Sequence, residues 1–140
     1  MISLHLFGSD VYIKYVGAPM KKVLVVDDHV DTNHILCKLI RRLGHATTSA
    51  YTGEGALAML SGDIPDLVIL DCMMPGMTGI EVLRLLRTNP KTAQLPVIMY
   101  SAVADPQFQQ HAMEKGATEY WVKSGFNLSQ LEERLSRYCC

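Results

Sequence analysis

No apolar run in this 140-residue chain approaches the ~20 residues that cross a bilayer, so no membrane-spanning helix is expected. No secretory leader is expected either: Leu4, Leu6 and Phe7 follow no basic residue and are interrupted by Gly8 and Asp10. The four cysteines (Cys37, Cys72, Cys139, Cys140) have no paired spacing, and adjacent Cys139 and Cys140 are poorly placed for a structural bridge. They are expected to be reduced thiols in a cytoplasmic protein. Charge of either sign is nearly balanced, with 13 Lys and Arg against 14 Asp and Glu and a net charge of -1. That denies the chain the basic excess by which nucleic-acid binders are known.

What is present is an ordinary core-forming composition: 49% apolar, 19% charged, mean hydropathy +0.12. It argues against disorder, and the length leaves no room for a second full domain. Residues 1–19 read unlike the rest. They are expected to be an N-terminal extension, from an upstream start codon or residues added for expression, with a short strand over Val11–Val16. Gly17-Ala18-Pro19 forms a joint, and Met20-Lys21-Lys22 is a natural beginning for a domain over 20–140.

From Lys22 the pattern alternates. Val23–Val26 is a short, β-branched, wholly apolar run, as expected of a strand covered on both faces. His34–Leu43 carries Ile35, Leu39, Ile40 and Leu43 at helical spacing, and Gly44 stands where a left-handed terminus favours glycine. Four further strand–helix pairs follow: strands at 46–50, 67–70, 96–100 and 119–122, helices at about 53–60, 80–86, 106–115 and from Leu128 on. Asn127 and Gln130 are spaced as a reciprocal cap of the last helix. Strict alternation predicts an α/β fold: a doubly wound, five-stranded parallel sheet with five helices and right-handed crossovers.

In such sheets ligands bind beyond the carboxyl ends of the strands. There the sequence places Asp27 and Asp28 after the first strand, Asp71 after the third, Ser101 after the fourth and Lys123 after the fifth. Taken singly, an Asp caps a helix, Ser101 is a turn hydroxyl and Lys123 is solvated. Together they bring three carboxylates to one rim, where mutual repulsion calls for a cation. Oxygen donors with no nearby histidine or cysteine cluster favour Mg²⁺, with Mn²⁺ as second choice. Such a site expects a phosphoryl group. None of the five histidines shows ligand spacing near this rim, Cys72 is expected to be a buried structural thiol, and Met73 and Met74 to pack at the rim.

Val23-Leu24-Val25-Val26-Asp27-Asp28, Leu70-Asp71-Cys72-Met73-Met74-Pro75-Gly76-Met77-Thr78-Gly79, Tyr100-Ser101-Ala102 and Tyr120-Trp121-Val122-Lys123 resemble the receiver domain of two-component response regulators. The resemblance covers about residues 20–140. It implies the flavodoxin-like strand order 2-1-3-4-5, of which a receiver of this family is itself a standing example. It further implies Asp71 as phosphoacceptor; Asp28, Asp71 and the backbone carbonyl of Met73 as direct Mg²⁺ ligands, with Asp27 acting through water; Ser101 and Lys123 on the phosphoryl oxygens; and Tyr120 as an aromatic switch that turns inward when Ser101 moves. The implied partners are a sensor histidine kinase or histidine phosphotransfer protein as donor and a downstream protein target. That target meets a face made of the fourth helix, fifth strand and fifth helix. No direct contact with nucleic acid or membrane is expected, and the chain is expected to be a monomer or weak dimer.

One departure stands out: the family commonly has a cis proline after the lysine, whereas Ser124-Gly125 follow Lys123 here, which predicts a looser loop. Three other readings stay open. One is an interaction module independent of phosphorylation, and another a receiver excised from a larger regulator or hybrid kinase. The third, a phosphatase of the haloacid dehalogenase type, needs a second acid two residues after the nucleophile. Met73 stands there, so slow self-dephosphorylation rather than turnover is expected.

Overall fold

The computed structural model describes residues 2–7, 10–15, 21–124 and 127–138. The first two segments, β1 (Ile2–Phe7) and β2 (Asp10–Tyr15), pair antiparallel from Ile2 opposite Tyr15 to Phe7 opposite Asp10. The strand expected over Val11–Val16 is thus β2, displaced by one residue, with Val16 outside the described residues. Its partner β1 was not anticipated, although Ser3, Leu4, His5 and Leu6 alternate as a strand should.

The remaining elements follow in strict order: β3 (Lys22–Val26), α1 (Val30–Arg42), β4 (Ala46–Ala50), α2 (Gly53–Leu60), β5 (Leu67–Asp71), α3 (Gly79–Thr88), β6 (Val97–Ser101), α4 (Pro106–Glu114), β7 (Glu119–Val122) and α5 (Leu128–Ser136). The five later strands form one parallel sheet in the order β4-β3-β5-β6-β7. Counted within this sheet, that is 2-1-3-4-5.

Helices cover both faces. Leu24, Val26, Leu70 and Met99 point toward Ala56, Val82, Leu83 and Ala112 of α2, α3 and α4. Val23, Val25, Ile69 and Trp121 point toward Leu36, Ile40, Leu131 and Leu135 of α1 and α5. Every residue of β5 and β6 is buried, which is why these strands read as unbroken apolar runs. β4 is polar because it is an edge strand, with Thr47, Thr48 and Ser49 only partly covered or exposed. Among the described residues no helix is long and apolar enough to cross a membrane.

Helix starts are set by side-chain caps. Thr52 accepts from the Gly55 amide, Asp105 from the Gln107 amide ahead of Pro106, and Thr78–Glu81 and Asn127–Gln130 form reciprocal capping boxes. Gly44 ends α1 with φ +98°. The Arg87 guanidinium fastens the end of α3 to the turn between α4 and β7 and to its own following loop, donating to the carbonyls of Gly116 (2.9 Å) and Thr92 (3.0 Å).

The apolar stripe assigned to α1 needs correction. The helix begins at Val30, earlier than His34, and its buried side is Asn33, Leu36, Cys37 and Ile40, while Ile35 is 60% exposed. The true face contains a buried asparagine, which hid its phase from a search for hydrophobic residues. Asn33 is tolerated because its Nδ2 donates to the carbonyls of Ala50 (3.1 Å), Asp27 (3.2 Å) and Val25 (3.4 Å).

Candidate functional site

Parallel registration brings the carboxyl ends of the strands to one rim: Val26 lies beside Leu70, Asp71 beside Tyr100, and Ser101 beside Val122. The chain turns away directly after each strand, leaving the side chains of Asp27, Asp71, Ser101 and Lys123 gathered there. Asn33 holds the turn after β3 from below, through the carbonyls on both sides of it. Sequence reasoning missed this residue; its only signal was a polar side chain at positions i, i+3, i+4 and i+7 with Leu36, Cys37 and Ile40.

At the centre is Lys123. Its Nζ donates to Oδ2 of Asp27 at 3.0 Å and to Oδ2 of Asp71 at 3.1 Å. The two carboxylates are 1% and 3% exposed. The Lys123 backbone amide donates to the Ser101 carbonyl at 2.8 Å, so the lysine is anchored at both ends without a following proline. Gly125 and Phe126, where a looser loop was expected, lie outside the described residues.

The opposite oxygens are engaged differently. Oδ1 of Asp71 accepts from the Met73 amide at 3.2 Å, and Oδ1 of Asp27 from the His29 amide at 2.9 Å. Oδ1 of Asp28 is buried with no hydrogen-bond partner, 3.4 Å from Nδ1 of His29. Ligand atoms of Asp27, Asp28, His29 and Asp71 all lie within 4.8 Å of one another. The expectation that none of the histidines has ligand spacing near this rim is therefore overturned. His29 follows Asp28 directly and, as the N-cap of α1, turns back toward the acids.

This donor set fits a hard divalent ion. Three carboxylates against one ammonium leave two negative charges, and a buried oxygen of Asp28 lacks a hydrogen-bond donor. The ionisation of the two central groups carries the same strain. Burial is the main cause that raises the pKa of Asp71 above its ordinary 3.8, outweighing the Met73 amide and the Lys123 charge that lower it. For Lys123, burial favours the neutral amine. Asp27 and Asp71 overcome that, and its pKa rises above 10.5.

The signs for stability follow by linkage. The Lys123 contribution is fully present below pH 10.5 and is lost as pH rises through the higher folded value. Asp71 runs the other way: the folded chain holds its proton more tightly, so ionising it destabilises the fold as pH rises from 3.8 through the raised value. Without divalent ions, the stability of Asp71→Asn relative to the parent should therefore increase across that interval. Urea midpoints at a series of pH values measure it, and a difference that stays flat contradicts the assignment.

Ser101 is fully buried, and its Oγ accepts from the Val103 amide at 3.1 Å. The Tyr120 hydroxyl donates to the Val103 carbonyl at 2.6 Å. Its ring is half-buried, set edge-on to Phe108 at 6.3 Å. Both side chains thus grip one residue of the β6–α4 loop. Cys72 is buried, and burial, then the Asp71 charge, push its thiol up to about 12, so it carries no reactive thiolate. Met74 is buried and packs as expected at the rim, whereas Met73, whose amide binds Asp71, has an exposed side chain.

Over residues 23–136 the chain matches the family model of the response regulator receiver domain. It belongs to that family. This receiver is 37% identical over 117 residues to the chemotaxis protein CheY of Pseudomonas aeruginosa, covering 83% of this chain and 94% of that one. The solved structure of CheY4 of Vibrio cholerae superimposes with a TM-score of 0.80 at 30% identity, over 86% of this chain and 99% of that one. The receiver domain of sensor histidine kinase PA1611 of P. aeruginosa, solved with magnesium coordinated in its active-site cleft, shares the fold. Its TM-score is 0.78 at 21% identity, over 86% and 98% of the two chains. Other curated relatives are much longer, and the receiver spans only 16% of one and 46% of another.

Proposed function

We propose that this receiver accepts a phosphoryl group on Asp71 from a phosphohistidine of a partner kinase or phosphotransfer protein, and that the group switches a protein-binding face. The observation that supports this best is the Asp27–Lys123–Asp71 bridge beside the buried Ser101 hydroxyl. A carboxylate, an ammonium and a hydroxyl stand together there, as the reading requires.

Asp28, Asp71 and the Met73 carbonyl would hold Mg²⁺ directly, with Asp27 acting through water. When bound, the ion neutralises charge on the transferring phosphoryl oxygens. Asp71 attacks phosphorus through one carboxylate oxygen. The bond to the donor imidazole breaks as an acyl phosphate forms on Asp71. Lys123 moves its ammonium from the carboxylate to the phosphoryl oxygens, and Ser101, which accepts from Val103, still has a hydroxyl hydrogen to donate to them. No acid or base assists from two residues on, where Met73 stands, which supports a slow self-dephosphorylation and no multiple turnover.

The acyl phosphate adds roughly -1.5 to -2 charges beside Ser101 and Lys123. A pull on Ser101 reaches Val103 through its amide, and Tyr120 through the Val103 carbonyl, so α4, β7 and α5 respond as a unit. A groove lined by Ile35, Leu39, Asn127 and Leu131 opens next to Lys123. These roles place the protein in the cytoplasm, with protein partners on both sides of the transfer.

Trp121 is the only tryptophan, fully buried on β7 with the Arg134 guanidinium 5.5 Å from its ring centre. Beryllofluoride added with Mg²⁺ should change its fluorescence saturably. A metal response without a beryllofluoride response would favour an interaction module independent of phosphorylation, and steady phosphate release from monoesters would favour a phosphatase.

A further inference from the structure

His29 stands apart from the carboxylates in chemistry but not in position. Its Nδ1 lies 3.3 Å from Oδ1 of Asp27 and 3.4 Å from Oδ1 of Asp28. Donor atoms on adjacent corners of an octahedron with bonds of about 2.1 Å are separated by about 3 Å, so the 3.4 Å spacing to Asp28, a direct ligand, is close to a coordination edge. The imidazole is not committed to capping: although His29 is the N-cap of α1, its side chain makes no capping bond and is 67% exposed. Asp28 on the other side of that edge offers a buried oxygen without a hydrogen-bond partner.

We propose that His29 is a nitrogen ligand of this site, which biases its choice of divalent ion from Mg²⁺ toward Ni²⁺. The proposal rests on the metal site described above and adds to it the identity of one donor and its consequence. Carboxylate and water sites suit Mg²⁺, whereas imidazole suits later first-row ions, whose affinities climb along the series from Mn²⁺. Coordination through Nδ1 leaves the ring neutral, with its proton on Nε2. Coordination replaces the Nδ1–Asp27 contact of the metal-free chain. Ligands then come from the ends of two strands and the first residue before α1, and Asn33 holds the backbone of the first of these strand ends through the Asp27 carbonyl.

Electron spin echo modulation of Mn²⁺ bound to the full chain reads nitrogen coordination directly, and calorimetry gives the Ni²⁺ to Mg²⁺ affinity ratio. The comparison variant is His29→Asn, since asparagine is a good N-cap and preserves the start of α1. The parent should show ¹⁴N modulation that disappears in His29→Asn, and the affinity ratio should fall by at least about tenfold, the lower end of the loss seen for perturbed ligand shells. Mn²⁺ bound without nitrogen modulation, modulation that survives in the variant, or an unchanged ratio would each overturn the role of His29 while leaving the oxygen site intact. A parent chain that binds no divalent ion at all would overturn the oxygen site and this proposal together.

Discussion

Asp71→Asn should take up no phosphoryl group. With Mg²⁺ and a small donor such as acetyl phosphate, the parent chain should gain an acid-stable, base-labile phosphoryl adduct visible by intact mass, and the variant none. Asparagine preserves shape, burial and the Met73 amide contact, so the change removes nucleophilicity with little change in packing. An amide oxygen is a poor nucleophile toward phosphorus, and no neighbour replaces it. Asp27 is bound to Lys123 and to the His29 amide, and the Cys72 thiol is held protonated by burial. The loss should exceed about a thousandfold, a barrier increase of about 4 kcal/mol or more. Because ionised Asp71 is destabilised by burial, the inactive variant should also be well folded, which separates loss of chemistry from loss of structure. An adduct that persists at the parent's rate in Asp71→Asn would place the phosphoacceptor elsewhere.

Gly79→Ala should be the most damaging small substitution in the chain. Gly79 opens α3 and donates its amide to the Cys72 carbonyl at 3.1 Å. A Cβ there would stand 2.1 Å from the carbonyl oxygen of Asp71 and 2.9 Å from Cα of Cys72. These are backbone atoms of the strand end that carries the proposed nucleophile, so no flexible side chain can yield. Either α3 lifts from β5, opening the packing of Val82 and Leu83, or Asp71 moves. The expected destabilisation is about 3 kcal/mol or more, at the upper end of overpacking effects. It should appear as a lower urea midpoint with an unchanged slope, together with slower phosphoryl uptake. Gly76→Ala is the control: φ is +73° but a Cβ would meet nothing within 4 Å, so only left-handed strain is added, about 1 kcal/mol. Equal effects at the two glycines would refute the steric account.

The legibility of the site can be judged residue by residue. Asp27, Asp28, Asp71, Ser101 and Lys123 could be read as neighbours because each follows an apolar run and parallel strands end at one rim. That inference needs only the alternation of elements, which buried strands make conspicuous. His29 and Asn33 escaped for different reasons. His29 follows two acids in a turn, and whether a turn residue faces the rim or solvent depends on where α1 starts, a boundary that moved from His34 to Val30. Asn33 escaped because burial of a polar group is favourable only once carbonyls from two strands converge on it. Ile35 shows the converse: an apolar residue at plausible spacing that the packing leaves outside.

Composition and pattern along the chain were enough to determine the class of fold, the alternation of its elements and the set of residues at the strand ends, because hydrophobic periodicity and capping residues act locally. The Lys123 bridge between Asp27 and Asp71, the joint hold of Ser101 and Tyr120 on Val103, and the position of His29 among the acids were decided only in three dimensions. Each depends on groups far apart in the chain meeting within about 3 Å, or on which side of a turn a side chain leaves, and no local preference encodes either distance or direction.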